Sequence, residues 1–345
     1  MPRLSNESTL GTVLSTLWRA ELDDHVPAFS LSPDGGRLAA ASLAGPIAVL
    51  DTAGGETVLE LAGHQPSTLA LEWSPAGGTI ASGGMDGAFR LWNARTGVET
   101  AVLEAGSSWG EHVAWRGDGE LLATAAGRFL RLWAADGTLV RSFEPHPSTV
   151  GALCWAPKGR EISTVCYGGL YMWARHQPAP VRRSELQSSL LALAWSPDAR
   201  FAAAGEQSGA VHLWRSNGKG ELEMYGFPSK VRHLSWSADS RWLATSGGDG
   251  AVLWDCAGRG PDGRSGRMLE GHDAAVSALS FHPTEDLLAC GDEQGRLSLY
   301  APNARRRPLG AVELDEPVAL LAWSRDGRIL YAAGGQGTIV AYERP

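Results

Sequence analysis

The hydrophobic pattern of the chain repeats about every 40 residues. Each unit has an apolar segment that ends in a large side chain, a polar turn, an Ala-rich apolar run, and an alternating segment that ends in another large side chain. A fixed period of this length indicates a repeat fold. The side chains that end the first segments recur at intervals of 40 to 45 residues, and they number the units as repeats 1 to 8: Leu31, Trp73, Trp115, Trp155, Trp195, Trp236, Phe281 and Trp323.

The local pattern inside each repeat predicts β-strands joined by tight turns. Turn sequences such as Ser32-Pro33-Asp34-Gly35 follow the first segments, and Pro, Asp and Gly favour the backbone angles that reverse the chain. Segments such as Val211 to Trp214 alternate with the period of two that is typical of half-buried strands. No window sustains the period of a long amphipathic helix. We therefore predict an all-β chain.

At these positions the sequence resembles the WD40 repeat family, whose units of about 40 residues carry a Gly-His pair and a terminal Trp-Asp. Gly63-His64 and Gly271-His272 match the first element, and Trp254-Asp255 matches the last. The resemblance covers residues 14–345 and implies one eight-bladed β-propeller with four antiparallel strands in each blade. Residues 1–13 are expected to form a flexible N-terminal tail.

The two ends of the chain predict how the propeller closes. Repeat 8 stops directly after its third strand, so its outer strand is missing from the C-terminus. Leu14 to Leu22 is a spare strand-like segment before repeat 1. We predict that this N-terminal strand completes the last blade, because that pairing leaves no open sheet edge.

Composition excludes several classes of protein. No stretch approaches the roughly 20 apolar residues that cross a bilayer, so we expect no membrane insertion. The polar N-terminal residues do not have the pattern of a secretory signal, so we expect none there. The four cysteines are far apart and form no C-x-x-C pair, which argues against a zinc ribbon or a disulfide framework. The Gly-rich segments lack the Gly-Lys-Ser/Thr of a phosphate-binding loop. We expect a cytoplasmic protein with reduced thiols and no cofactor.

The resemblance also assigns one set of side chains to a structural network. In the family, a His, a Ser or Thr, an Asp and a Trp hold a blade together, and only repeat 2 carries all four, as His64, Ser82, Asp86 and Trp92. A His/Ser/Asp set is also the composition of a nucleophilic triad. The resemblance favours the structural interpretation, with the indole completing a buried network.

The loops predict a charge difference between the two faces of the propeller, although the whole chain has 38 acidic and 30 basic residues and a formal charge of −8. The links from third to fourth strands in repeats 4 to 7 hold 11 of the basic residues: Arg175, Arg182, Arg183, Arg215, Lys219, Arg259, Arg264, Arg267, Arg305, Arg306 and Arg307. The opposite face collects acidic residues: Asp23, Asp24, Glu111, Glu144, Glu206, Asp249, Glu270, Asp273, Asp292, Glu293, Asp315 and Glu316.

These observations predict a non-enzymatic scaffold that binds a partner protein through loops on one face. The candidate interaction residues are Trp109, Tyr167, Asp292 and Glu293 on the acidic face, and Arg182, Arg183, Arg259, Arg264, Arg267, Arg305, Arg306 and Arg307 on the basic face. The identity of the partner and the oligomeric state stay open.

Two alternatives remain. The first is an enzyme or metal-dependent protein that uses acidic and His residues of repeats 7, 8 and 1: Asp23, Asp24, His25, His272, Asp273, Asp292, Glu293, Asp315 and Glu316. The second is an RNA or anionic-surface binder that uses the basic loops. The basic residues are not interleaved with aromatic side chains that could stack on bases, so we expect no nucleic-acid partner.

Overall fold

The computed structural model describes residues 13–344 except residues 105, 107 and 219. The predicted tail therefore lies outside the described residues apart from Val13, and so does Lys219. Every regular element in the described part is a β-strand, as the repeat pattern predicts. No helix there is long and apolar enough to span a membrane.

The strands form antiparallel sheets in chain order. Repeat 1 forms a four-stranded sheet of β2 (Phe29–Leu31), β3 (Arg37–Ala41), β4 (Ile47–Asp51) and β5 (Thr57–Leu61). Repeat 2 forms a second one of β6 (Thr68–Trp73), β7 (Thr79–Gly84), β8 (Ala88–Asn93) and β9 (Glu99–Glu104). Repeat 3 forms a third one of β10 (Gly110–Trp115), β11 (Leu121–Ala126), β12 (Phe129–Ala134) and β13 (Leu139–Ser142). Repeats 4 and 5 form one six-stranded sheet of β14 (Val150–Trp155), β15 (Glu161–Ala174), β16 (Arg182–Trp195), β17 (Phe201–Glu206), β18 (Val211–Arg215) and β19 (Glu221–Met224).

The remaining repeats return to four-stranded sheets. Repeats 6 and 7 consist of β20 (Leu234–Trp236), β21 (Trp242–Thr245), β22 (Val252–Asp255) and β23 (Arg267–Met268), and of β24 (Val276–Phe281), β25 (Leu288–Asp292), β26 (Arg296–Tyr300) and β27 (Gly310–Glu313). Repeat 8 consists of β28 (Val318–Trp323), β29 (Ile329–Gly334) and β30 (Thr338–Glu343), and its fourth strand is β1 (Ser15–Glu21).

The prediction of eight four-stranded blades is wrong, because the propeller has seven sheets and one of them has six strands. The reason is the link between repeats 4 and 5, which carries no Gly or Pro at residues 187–189. The chain reverses within β15 at Gly168 and Gly169, which have positive φ angles, without the longer turn found in repeat 2. The link to the next repeat at residues 187–189 stays extended, so β16 pairs first with β15 and then with β17.

The predicted closure of the ring is confirmed. β1 pairs antiparallel with β30, from Ser15 opposite Glu343 to Glu21 opposite Thr338. Trp18 is buried at this junction, and its indole nitrogen donates a hydrogen bond of 2.8 Å to the Thr52 carbonyl of repeat 1. The N-terminal strand therefore joins the last repeat to the first.

The hydrophobic core lies between neighbouring sheets. One apolar cluster contains Ile47 and Leu61 of repeat 1 together with Trp73 and Trp92 of repeat 2. Several tryptophans that end first strands also hydrogen-bond to the preceding repeat, for example Trp155 to the Ala114 carbonyl at 2.9 Å. The repeat spacing seen in the sequence is therefore the spacing of contacts between sheets.

Candidate functional site

The four residues of repeat 2 form one buried chain of hydrogen bonds. His64 Nδ1 lies 2.8 Å from Asp86 Oδ1, and His64 Nε2 lies 2.7 Å from Ser82 Oγ. Trp92 Nε1 donates to the same Ser82 Oγ at 2.8 Å. Burial lowers the pKa of His64, although its hydrogen bond to Asp86 opposes the shift. A neutral imidazole then donates to Asp86 and accepts from the Ser82 hydroxyl.

This arrangement has the order of a nucleophilic triad but cannot meet a substrate. Ser82 is 0% exposed and His64 is 1% exposed, so the hydroxyl is sealed between the strands. The Trp92 indole also occupies a lone pair of the Ser82 oxygen that would attack. The network therefore holds the sheet together.

Two related networks were missed by the sequence interpretation. In repeat 4, His146 Nε2 lies 2.7 Å from Thr164 Oγ1, and Trp173 donates to the same oxygen at 2.8 Å. In repeat 7, His272 Nδ1 lies 2.7 Å from Asp292 Oδ2. The Gly-His pair was the available signal in repeat 7, whereas in repeat 4 the histidine follows a proline and the pair is absent.

Asp292 requires a correction as an interaction residue. It is 1% exposed, and its second oxygen accepts hydrogen bonds from the backbone amides of Gln294 and Arg296. A carboxylate enclosed in this way supports the turn and offers nothing to a partner. Its neighbour Glu293 is exposed.

The predicted acidic face is less acidic at its surface than its sequence indicates. Besides Asp292, Glu206 and Glu316 are buried. Glu316 accepts hydrogen bonds from the backbone amides of Gln336 and Thr338, and so it closes a turn of repeat 8. These carboxylates serve the fold.

The acidic and His residues of repeats 7, 8 and 1 do not converge on a common point. His25 Nδ1 lies 3.1 Å from the Gly335 carbonyl, and His272 is paired with Asp292. Among the residues that the structure describes, the one group close enough to hold a metal ion lies instead in repeat 5. The metal-dependent alternative therefore has no assembled site where the sequence predicted it.

Trp109 and Tyr167 lie at the surface. Trp109 is 51% exposed in the segment before β10, and Tyr167 is 52% exposed at the reversal within β15. Large aromatic side chains in such positions are suited to anchor a partner. Their role in binding stays a prediction.

Several predicted arginines are used to join neighbouring repeats. Arg182 donates to the carbonyls of Arg215 and Ser216 at 3.1 and 2.9 Å, and Arg215 donates to the Arg259 carbonyl at 2.8 Å. These bonds show that the basic loops of repeats 4 to 6 are adjacent. The exposed guanidinium of Arg183 lies 3.3 Å from Glu185 in an ion pair.

Six other arginines form a contiguous surface, which we call the arginine patch: Arg241, Arg264, Arg267, Arg305, Arg306 and Arg307. The guanidinium groups of Arg241 and Arg267 lie 4.9 and 5.1 Å from the Trp242 ring. Arg241 and Arg264 both pair with Asp255. Burial and the nearby charge of Arg306 lower the pKa of Arg267. Arg241 was missed because it lies in a turn outside the basic loops.

The loop between β26 and β27 carries the exposed part of this patch. Arg305, Arg306 and Arg307 are exposed, and Arg307 lies 3.5 Å from Glu270. Within the described part of the chain, Arg305 and Arg306 form no ion pair. Because Glu270 belongs to the predicted acidic face, the two charged surfaces meet at this rim.

A small apolar groove beside the patch was not expected from the sequence. It has a volume of about 180 Å³ and lies between Phe227, Trp254 and Met268. Tyr225 stands at its edge and is 71% exposed. The outer strand β23 has only two residues, so it leaves this side of repeat 6 incompletely covered.

Comparisons with known proteins agree with this architecture. The family model described as "WD domain, G-beta repeat" matches residues 55–93, 182–215, 221–255 and 263–300. Over 172 residues the chain is 27% identical to the F-box-like/WD repeat-containing protein TBL1X of Mus musculus, a match that covers 45% of this chain and 32% of the relative. Over 167 residues it is 27% identical to the WD repeat-containing protein slp1 of Schizosaccharomyces pombe, covering 45% of this chain and 34% of the relative.

The matches therefore span about a third of the length of these relatives. Among solved structures, the crystal structure of the computationally designed Ika8 protein superimposes with a TM-score of 0.81 at 21% identity, and the match covers 95% of this chain and 99% of that one. This similarity shows a common fold. The four matched segments and the relatives that carry WD repeats support the assignment of this chain to the WD40-repeat family.

Proposed function

We propose that the protein is a non-enzymatic scaffold that binds an acidic segment of a partner protein at the arginine patch. The observation that carries this proposal is the state of Arg305 and Arg306. Both side chains are exposed, and among the described residues neither forms an ion pair. A carboxylate is the group whose charge and geometry suit a guanidinium best.

The charge around Arg267 supports an acidic ligand. Arg305 and Arg306 add exposed positive charge next to it, while the chain as a whole carries a formal charge of −8. A local basic surface on an acidic protein steers an oppositely charged partner toward that surface. Of the acidic residues that the structure describes, Asp255 and Glu270 form ion pairs with members of the patch, and Asp239 and Asp286 lie close enough to interact with Arg241. The six guanidinium groups therefore outnumber these four carboxylates.

A protein ligand is favoured over RNA by the composition of the exposed loop. Residues 301–309 contain Pro, Asn, Ala, Leu and Arg but no aromatic side chain that could stack on a base. Enzymatic function has no support from repeat 2, since its Ser/His/Asp set is sealed inside the sheet.

We also propose that the protein is cytoplasmic. The four cysteines Cys154, Cys166, Cys256 and Cys290 are unpaired. Burial raises the pKa of the Cys154 thiol to about 12, so this group stays protonated and unreactive at neutral pH. Unpaired thiols fit a reducing compartment.

The test is affinity capture from native extract with Arg306→Glu and with Arg95→Glu as the matched control. Both side chains are exposed and lie in loops that follow third strands. Because both substitutions replace Arg by Glu, the two variants change the net charge equally. We expect a protein partner that survives nuclease treatment, that is lost with Arg306→Glu and that is retained with Arg95→Glu. Its binding to the purified chain should weaken as salt is raised.

Three outcomes would contradict the proposal. Equal capture by both variants would place the interface elsewhere, for example at Trp109. Loss of the captured material on nuclease treatment would favour the RNA alternative. The absence of any captured protein would remove the scaffold function itself.

A further inference from the structure

Repeat 5 lacks the interior network that repeats 2 and 4 use. Ala204 stands at the β17 position where repeat 2 has Ser82, and the Trp214 indole nitrogen has no hydrogen-bond partner within the described residues. His212 lies directly opposite Ala204 on β18, where repeat 2 has Arg90 opposite Ser82. A histidine thus stands where repeat 2 has an arginine.

The side chain of His212 is held between two carboxylates. Its Nε2 lies 2.7 Å from Glu206 Oε2, and its Nδ1 lies 2.7 Å from Glu221 Oε1. The imidazole is 1% exposed and Glu206 is 7% exposed. These contacts fix the orientation of the ring inside the sheet.

Two further groups organise the carboxylates. The hydroxyls of Ser188 and Ser208 donate to the second oxygen of Glu206, the latter at 2.6 Å. On the outer strand, Glu223 lies opposite His212 in the register, and its carboxylate accepts a hydrogen bond of 3.0 Å from the Tyr225 hydroxyl. The donor atoms of Glu206, His212 and Glu223 lie within 4.8 Å of one another.

The charges of this cluster are unbalanced. Three carboxylates, those of Glu206, Glu221 and Glu223, surround one imidazole, which supplies at most one positive charge. In the part of the chain that the structure describes, the ion pairs of these carboxylates are those that Glu206 and Glu221 form with His212 itself. A proton on the imidazole would neutralise only one of the three carboxylates, and a divalent cation would balance the negative charge that remains.

We propose that Glu206, His212 and Glu223 bind a divalent transition-metal ion of the Zn²⁺ or Mn²⁺ type. One imidazole nitrogen and two carboxylate oxygens are ligands that such ions accept. Glu221 is not a ligand in this arrangement and accepts a hydrogen bond from His212 Nδ1 instead. A ligating histidine characteristically donates its other ring N–H to a carboxylate in this way. Nε2, which lies 2.7 Å from Glu206 Oε2, would exchange this contact for coordination of the ion beside Glu206.

The site would link three strands of repeat 5. Glu206 ends β17, His212 lies on β18 and Glu223 lies on β19, so one ion would connect the second, third and fourth strands of this repeat. It would substitute for the Ser–Trp hydrogen bond that Ala204 removes. The inference does not depend on the arginine patch or on the identity of a partner.

The experiment measures the binding of Zn²⁺ and, separately, Mn²⁺ to the metal-free chain by isothermal titration at pH 7. Wild type should bind one ion per chain. Glu223→Gln keeps the shape of an exposed side chain and should weaken the affinity by about tenfold or more. Glu60→Gln, an exposed substitution on the outer strand β5, is the matched control and should bind as wild type does.

A second measurement identifies the nitrogen ligand. Co²⁺ bound to the chain should give a visible absorption spectrum that changes in His212→Gln, with folding of each variant checked by circular dichroism. If wild type binds neither Zn²⁺ nor Mn²⁺ stoichiometrically, or if Glu223→Gln and Glu60→Gln bind equally well, the site does not exist.

Discussion

Removal of the Ser82 hydroxyl from the interior of repeat 2 should lower the free energy of unfolding by more than the loss of one small group indicates. Ser82 Oγ is the common partner of His64 Nε2 and Trp92 Nε1, at 2.7 and 2.8 Å. All three residues are at most 2% exposed, so water cannot replace the lost oxygen. Ser82→Ala therefore leaves two buried polar atoms without partners.

The magnitude follows from the number of groups left unpaired. Each buried polar atom without a partner costs about 1 to 2 kcal/mol, so Ser82→Ala should lower the free energy of unfolding by about 2 to 4 kcal/mol. Ser163→Ala is a graded control, because Ser163 is equally buried but, among the described side chains, accepts only the indole N–H of Trp195, at 3.0 Å. Its cost should be about 1 kcal/mol.

Urea denaturation followed by tryptophan fluorescence measures both variants against wild type. The midpoint should fall for each, with an unchanged slope, and it should fall further for Ser82→Ala. A loss for Ser82→Ala no larger than that for Ser163→Ala would refute the reasoning. It would mean that His64 and Trp92 find other partners when the hydroxyl is absent.

The remaining predictions concern ring closure and pH. Trp18→Ala should lower the free energy of unfolding by about 3 to 5 kcal/mol, because the side chain is buried at the ring junction. Trp109 is half exposed, so Trp109→Ala should change the free energy of unfolding by less than about 0.5 kcal/mol. Equal losses of the two variants in thermal unfolding would contradict this difference. Burial raises the pKa of Glu72 to about 7 from an ordinary value of 4.5, despite a hydrogen bond from the Trp115 amide. Protonated Glu72 thus contributes at most about 3 kcal/mol of stability, which is present below pH 4.5 and lost as the pH rises through 7. Glu72→Gln should show a smaller loss of stability between pH 5 and pH 8 than wild type, and an unchanged pH profile would contradict the shift.

The repeat pattern predicted the strands well because it reflects the packing between sheets. The spacing of Trp73, Trp115 and Trp155 placed first strands correctly, and the spare segment at Leu14 to Leu22 identified the strand that closes the ring. The number of sheets was wrong, since it depends on whether a short link bends or stays extended. Residues 187–189 carry no Gly or Pro, and only the fold shows that they continue the strand.

The candidate residues were harder to assign because exposure is not a property of residue type. Asp292 has the sequence context of an acidic loop residue, yet it is buried against His272. Arg182 has the context of a free surface charge, yet it binds carbonyls of the next repeat. The charge pattern locates such side chains in loops without showing which of them turn inward.

By itself the sequence determined the all-β repeat, the order of strands, the network of repeat 2 and the closing strand, because each follows from local periodicity or from motifs at fixed spacing. Only the tertiary structure decided which charges meet. Arg241 and Arg267 come together over Trp242 although 26 residues separate them, and Glu206, His212 and Glu223 converge from three strands. Contacts of this kind depend on strand register and on the approach of neighbouring repeats, which no single stretch of sequence encodes.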